Sequence, residues 1–388
     1  MRFRRDAFPV LIGAVIVIIT IMAIVSNRLF SGLTESIEKS QFELMKAILD
    51  SSLHGAEDKA LARASMIASL PTTQQIFAAR DRERLLAEYS KMFEIQKEKF
   101  GVDQAQFHIP PATSFLRLQA PDKFGDDLSK FRPMVVAVNQ DHLERKGLAI
   151  ARTGPAVFGV VPVRDMAGKE IGSFEVGIDF GVVLDNLKAA YGLELALFIE
   201  EQPLREFAQG VNPEVLSEEN RLGKYVKYHS THWALMKELA KSSDLTLVQE
   251  PVKYTREALG IPYGVLLVPL RNNAGKPLGV VAVAQNFSGS RAAARRSLVW
   301  QVALALFSIV LLSGFVVVVI GGLLLKPLRM LGDRFAALEA GDQDLPVIED
   351  QETLCQELQA LAEMYERMRI QSTQAPAERQ VKGEKNIP

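Results

Sequence analysis

Two stretches of the chain carry no charged residue: Phe8 to Val25 and Leu298 to Leu325. At about 1.5 Å per helical residue, each is long enough to cross a hydrocarbon core of about 30 Å. Between them the pattern changes twice. From Arg28 to Leu70, Leu33, Ile37, Leu44 and Ile48 recur near helical spacing with no proline until Pro71, which predicts one long helix. A second helix is expected over Arg82 to Phe100, with Leu85, Tyr89, Met92 and Phe93 on one stripe.

Past Gly101 the runs are short and alternate as strands do. The expected strands are Gln104 to Ile109, Ser114 to Gln119, Gly147 to Arg152, Val157 to Arg164 and Lys169 to Asp179. A short helix near Arg132 to Asn139 lies among them. A new series begins at Leu193 to Ile199. It continues with a strand near Lys224 to Tyr228, a helix around Trp233 to Ala240, and strands at Leu245 to Gln249, Tyr263 to Leu270 and Pro277 to Gln285.

The two series repeat. Val161-Pro162-Val163-Arg164 matches Val268-Pro269-Leu270-Arg271, and Ala167-Gly168-Lys169 matches Ala274-Gly275-Lys276. Gly172, Val176 and Phe180 match Gly279, Val283 and Phe287 at the same offset. Each copy reads as a strand, a glycine-containing turn and a strand, so a duplicated module is expected.

After the second apolar stretch, Leu328, Leu331, Phe335 and Leu338 are spaced by three and four, as are Leu354, Leu358, Leu361, Tyr365 and Met368. Both are heptad seams, and two short seams bury themselves best in a dimeric four-helix bundle. A homodimer is therefore expected.

Charge adds orientation. With 45 Lys+Arg and 46 Asp+Glu the chain is nearly neutral, which gives no reason to expect a nucleic-acid partner. Arg2, Arg4 and Arg5 precede the first apolar stretch, and Lys326, Arg329 and Arg334 follow the second. Both termini are thus expected in the cytoplasm and residues 28–297 outside it. A cleaved signal peptide would also start with basic residues. The apolar run here is longer than a usual signal core, and Ala23-Ile24-Val25-Ser26-Asn27 is a poor cleavage pattern, so an anchor is expected. The single cysteine, Cys355, falls on the cytoplasmic side, so the exported part must hold together without an internal disulfide.

Anchor, long helix, two sheet modules and return helix resemble the double Cache sensor region. The segments from Phe107 to Arg117 and from Phe124 to Arg132 resemble the double sensory domain of some two-component kinases, chemoreceptors and diguanylate cyclases. The resemblance covers about residues 40–290 and implies PAS-like five-stranded sheets, one membrane-distal and one membrane-proximal. The segment after the second apolar stretch resembles a HAMP linker through Pro327, Gly341-Asp342 and Glu357-Leu358. Gln356 and Glu366 depart from that family's usual Asp and Asn.

The expected protein is of the α+β class and membrane-anchored. It has a cytoplasmic N-terminus (1–7), a first membrane helix (8–26), a long helix with the distal module (28–190) and a proximal module (191–290). A second membrane helix (298–325), a HAMP-like helical coiled coil (326–370) and a disordered tail (371–388) complete it. The relay residues are the heptad positions above together with Pro327. No output module is read after them, so a separate cytoplasmic output protein, a truncated gene or a longer protein is expected.

Candidate ligand residues come from strand alternation. Ser173, Glu175, Gly177 and Asp179 share one face of the distal hairpin, while Phe174, Val176 and Ile178 suit packing on the long helix. The matching proximal positions Val280, Ala282, Ala284 and Asn286 are mostly small and apolar, which places the pocket in the distal module. Arg117, Arg132 and Arg152 can fork onto a carboxylate or phosphate. Glu175 or Asp179 can hold an amine, with Phe115 or Phe131 as walls. The expected ligand is small, and anionic or zwitterionic. The plainer alternative pairs Arg117 with Glu175 and has Asp126-Asp127 cap a helix.

No cofactor is implied. His229 and His232 are spaced as metal ligands can be but lack a third partner. No nucleophile elbow or phosphate loop points to an enzyme. The rival reading is a ligand-independent periplasmic scaffold or accessory subunit.

Overall fold

The computed structural model describes residues 3–341 and 356–383, apart from Gln209 and Leu247. In chain order the helices are α1 (Phe3–Ser69), α2 (Pro71–Ala78), α3 (Arg82–Phe100), α4 (Pro133–Asp141), α5 (Phe180–Tyr191) and α6 (Glu201–Phe207). They continue with α7 (Trp233–Leu239), α8 (Ser242–Leu245), α9 (Ser288–Val318), α10 (Lys326–Glu339) and α11 (Gln356–Gly383). The chain divides into two compact units, residues 34–292 and residues 1–33 with 293–388.

The larger unit holds two antiparallel sheets. The first contains β1 (Val102–Ile109), β2 (Thr113–Arg117), β3 (Arg145–Ala151), β4 (Gly154–Arg164) and β5 (Glu170–Asp179), in the order β2-β1-β5-β4-β3. The second contains β6 (Glu194–Glu200), β7 (Arg221–Leu222), β8 (Tyr225–Ser230), β9 (Val252–Ala258), β10 (Ile261–Arg271) and β11 (Pro277–Asn286), in the order β7-β8-β6-β11-β10-β9. The second sheet thus has six strands where five were expected, the addition being the two-residue β7.

The repeat seen in the sequence is a repeat of register. Val163 pairs with Gly172 in one hairpin and Leu270 with Gly279 in the other, each followed by an irregularity at the next arginine. Both turns are closed alike. The Asp165 side chain accepts from the amides of Ala167 and Lys169, and the Asn272 side chain from those of Ala274 and Lys276. Gly168 and Gly275 take the left-handed conformation these turns need, with φ of 84° and 75°.

Helix α1 covers one face of the first sheet. Its stripe Met45, Leu49, Ala56, Ala60 and Ala64 is buried with Phe174, Val176 and Ile178 of β5, as alternation requires. Small residues let the helix come close. A Cβ on Gly159 of β4 would fall 2.2 Å from the backbone nitrogen of Leu61.

Three assignments change. The strand expected at Leu245 to Gln249 is not there: Asp244 caps the backbone of Lys241 to make α8, and β9 follows at Val252–Ala258. β9 lies at the sheet edge with most of its side chains at least partly exposed, so its sequence lacks a buried strand's pattern. Helix α11 continues to Gly383, past Gln371, where a disordered tail was expected.

In the smaller unit, α1 and the α9–α10 region carry apolar stretches long enough to cross a membrane. Their large side chains stand exposed, Met22 and Val310 among them. A π-helical segment, Val319–Leu325, joins α9 to α10. Helices α10 and α11 pack through Leu331, Leu358, Ala362 and Tyr365, with Phe335 edge-on to Tyr365 at 5.5 Å. Of the heptad residues, Leu328, Leu361 and Met368 remain exposed, Ala362 takes the buried place between Leu358 and Tyr365, and Leu354 lies outside the described residues.

Candidate functional site

The face of the first sheet turned away from α1 is lined by polar side chains at one end and apolar ones at the other. Gln104, Gln106 and His108 of β1 stand beside Gly177, Glu175 and Ser173 of β5. Across the same face, Ala156, Phe158 and Val160 of β4 bury themselves against Met134, Val135 and Val138 of α4. Where α4 stops covering the sheet, a cavity of about 460 Å³ opens, within the usual size of ligand sites.

Its wall combines Gln104, Gln106, Arg117, Phe131, Arg132 and Arg152 with Asp103, Asp126 and Thr153. Asp103 reaches the cavity because β1 is irregular between Val102 and Gln104, which turns two consecutive side chains toward one side. Thr153 donates to Asp103 (2.9 Å) and accepts from Gln104 (2.6 Å). Burial pushes the Asp103 carboxyl up to about 6, against the pull of the Thr153 hydroxyl.

The arginines differ in what holds them. Arg117 forks onto Asp126 with two bonds of 2.8 Å and donates to the Lys123 carbonyl. That bond holds the Asp126 carboxyl below its ordinary range. Arg132 donates to Glu175 and lies over the Phe158 ring at 4.2 Å. Arg152 is exposed at the mouth, and neither it nor Lys97 and Lys123 beside it has an ion-pair partner among the described residues.

Behind Arg132 sits a fully buried polar pair. Glu175 and His108 have no exposed surface and stand 3.7 Å apart. Burial, then the charge of Arg132, drives His108 well below its ordinary value, so its ring is neutral. Burial raises the Glu175 carboxyl against the attraction of Arg132 and Arg117.

The expected site residues therefore separate. Arg117, Phe131, Arg132 and Arg152 line one cavity. Glu175 does not line it; it is taken by Arg132 from behind. Asp179 caps α5 by accepting from the Val182 amide and is likewise absent from the wall. Phe115 faces the other way, against Phe77, because the register shift between Phe107 and His108 puts it and Leu116 on the same side. The alternative pairing of Arg117 with Glu175 is corrected too: the pairs are Arg117–Asp126 and Arg132–Glu175. Asp127 accepts from the Ser129 amide and hydroxyl rather than capping a helix. His229 binds Asp185 at 2.8 Å, and His232 is the residue before α7.

Sequence reasoning missed the residues that close the cavity from the second module, Glu206, Phe207 and Gly210. They lie on and just after α6, which forms around Pro203 because a proline in the first turn of a helix is tolerated. Phe207 meets Phe131 edge-on at 5.4 Å. The β3–β4 turn that forms the cavity's rim is also tied to the second module. The Gly210 amide donates to the Arg152 carbonyl (2.8 Å) and the Tyr228 hydroxyl to the Thr153 carbonyl (3.1 Å). At the matching face of the second sheet, Val280, Ala282 and Ala284 are buried with Leu235, Met236 and Leu239.

The double sensory domain of two-component sensor kinases matches residues 35–288. The chain belongs to this family. The matched double sensory domain spans both sheets and about the second half of α1. No curated protein sequence matches the chain. Among solved structures, the ligand-binding domain of the Campylobacter jejuni chemoreceptor Tlp3 in complex with 4-methylisoleucine is 12% identical, with a TM-score of 0.40 over 66% of this chain and 94% of that one. The Pseudomonas fluorescens chemoreceptor CtaA domain in complex with L-serine is 12% identical, with a TM-score of 0.35 over 65% and 98%. The sensor domain of the Vibrio cholerae histidine kinase DctB is 9% identical, with a TM-score of 0.37 over 66% and 98%. The cavity described above lies within the matched region, lined mainly from the first sheet's module and closed by Glu206, Phe207 and Gly210 of the second.

Proposed function

We propose that this protein is a transmembrane sensor that binds a small anionic or zwitterionic ligand in the distal cavity outside the cytoplasm. The observation that carries the reading is the cavity itself. It is open, polar on one wall, and closed on another by residues of the proximal module. Lys97, Lys123 and Arg152 offer charge that no ion pair among the described residues uses, while Arg117 and Arg132 hold the wall in shape. A ligand-independent scaffold gives no reason for such an opening.

Both apolar stretches cross the membrane in this reading, with the termini inside and residues 28–297 outside. The protein acts as a homodimer. Ile37 and Leu44 on α1 and Leu328, Leu361 and Met368 on α10 and α11 are exposed apolar side chains that a second copy would cover. Helices α10 and α11 serve as a HAMP-like relay toward a cytoplasmic output. Ligand binding favours one of two packings of the double sensory domain, by no more than its difference in affinity for the two. The rim at Arg152 and Thr153 passes the change to the proximal module, whose last strand β11 leads into α9.

The test is a thermal-unfolding screen of the full chain in detergent against organic acids, amino acids, amines and purines. A ligand that binds only the folded state stabilises it by about 2.7 kcal/mol at a hundredfold excess over Kd. The reading expects a shift with an acid or amino acid that Arg152→Ala weakens. A well-folded protein that responds to none of these classes would favour the scaffold.

A further inference from the structure

A second opening, also about 460 Å³, lies between the two modules. One wall is distal, from α4 and β3, and carries Met134, Ala137 and Leu148. The other is proximal and carries Phe207 of α6 and Leu278 beside the β10–β11 turn. The cleft is bridged where Asn273 of that turn donates to the Lys146 carbonyl (3.0 Å). On the side of the distal cavity it is bounded by Phe131, Arg132, Ile150 and Phe207, which line both openings.

The charges on this cleft are all of one sign. Lys130, Arg132, Arg145 and Lys276 line it, and no carboxylate does. Arg132 is taken by Glu175 and Arg145 by Asp141. Lys130 and Lys276 approach from opposite modules, and neither has an ion-pair partner among the described residues. The rest of the wall is mainly apolar. A cavity with mainly apolar walls and two uncompensated ammonium groups on its lining favours an occupant with an apolar body and a negative charge.

We propose that this cleft is a second ligand site, taking an amphipathic monoanion: a carboxylate on an aliphatic or aromatic body. Its occupant rests on both modules at once, so it fixes their separation. Through the shared Phe131–Phe207 contact it also alters the distal cavity, and by reciprocity a distal ligand alters its affinity in the same ratio.

Calorimetric titration of the full chain in lipid nanodiscs tests the site, with benzoate and cyclohexanecarboxylate as probes and their uncharged amides as controls. The carboxylates are expected to bind at least about tenfold more tightly than the amides. Lys130→Glu combined with Lys276→Glu should weaken carboxylate binding by about tenfold or more. Both positions are exposed, so this variant keeps its fold. Ala137→Trp, which fills the cleft, should abolish binding. Arg152→Glu, at the distal mouth, should change it by no more than about threefold. Equal binding of acids and amides would overturn the assignment of charge. Loss of binding in Arg152→Glu with retention in the lysine variant would place the acids in the distal cavity. Absence of binding by either carboxylate would overturn the site.

Discussion

Arg132 donates to Glu175 with both side chains buried, so a cationic side chain of the cavity wall is held from behind by a carboxylate of the sheet. The pair costs desolvation on both partners, and breaking it is worse than never having it. Arg132→Met should therefore destabilise the fold by about 3–5 kcal/mol, by leaving a buried carboxylate unpaired. Arg132→Met together with Glu175→Leu should recover most of that loss. Denaturant titration of the two variants and the parent decides it; equal losses in single and double variants would mean that an unpaired Glu175 carboxylate is not what destabilises the single variant.

Asp103 makes stability and binding depend on pH. Its folded pKa of about 6 lies above its ordinary 3.8. Its contribution to stability is thus fully present below about 3.8 and lost as pH rises through about 6. Asp103→Asn removes the titration while keeping an acceptor for Thr153. It should be more stable than the parent at pH 7.5, by on the order of 1–3 kcal/mol, with that advantage gone below pH 4. An anionic ligand should bind the parent more tightly as pH falls through about 6, because the wall loses a negative charge, and Asp103→Asn should flatten that dependence.

Gly159 measures the approach of α1. A methyl group there meets helix backbone and not a side-chain tip, so it cannot be relieved by a rotamer change. Gly159→Ala should cost about 1–3 kcal/mol or more. Chemical denaturation checks this, and an unchanged midpoint would mean that α1 can move off the sheet without cost.

Tyr228→Phe removes the bond to Thr153 and leaves the ring. The expected loss of stability is small, about 0.5–1.5 kcal/mol. The effect on transmission should be larger. If α10 and α11 relay the signal in a dimer as proposed, ligand-dependent crosslinking between copies through a cysteine at position 361 should respond less in Tyr228→Phe than in the parent, at equal ligand occupancy.

The legible part of this protein was what alternation and repetition control. Phe174, Val176 and Ile178 face α1, and Gly172 and Gly279 hold equivalent places in two hairpins, as the spacing required. Irregularities were not legible. The bulge that carries Phe115 away from the cavity and the one that turns Asp103 into it each break the period of two on which strand reading rests. Nor was partner choice. Alternation put Arg117 and Glu175 on one face but could not say that Asp126 and Arg132 would claim them, since those lie in the irregular segment between β2 and α4. Phe207 was hidden for another reason: it belongs to the cavity only because two modules meet there.

The central claim is that a ligand in the distal cavity is felt by the proximal module through a shared wall. Hydrogen exchange of the full chain, with and without the most stabilising compound from the screen, tests it most directly. The account predicts slowed exchange at residues 103–106 and 150–153 and, in the same titration, at 201–211. Protection confined to the proximal sheet, with residues 103–106 and 150–153 unchanged, would contradict it.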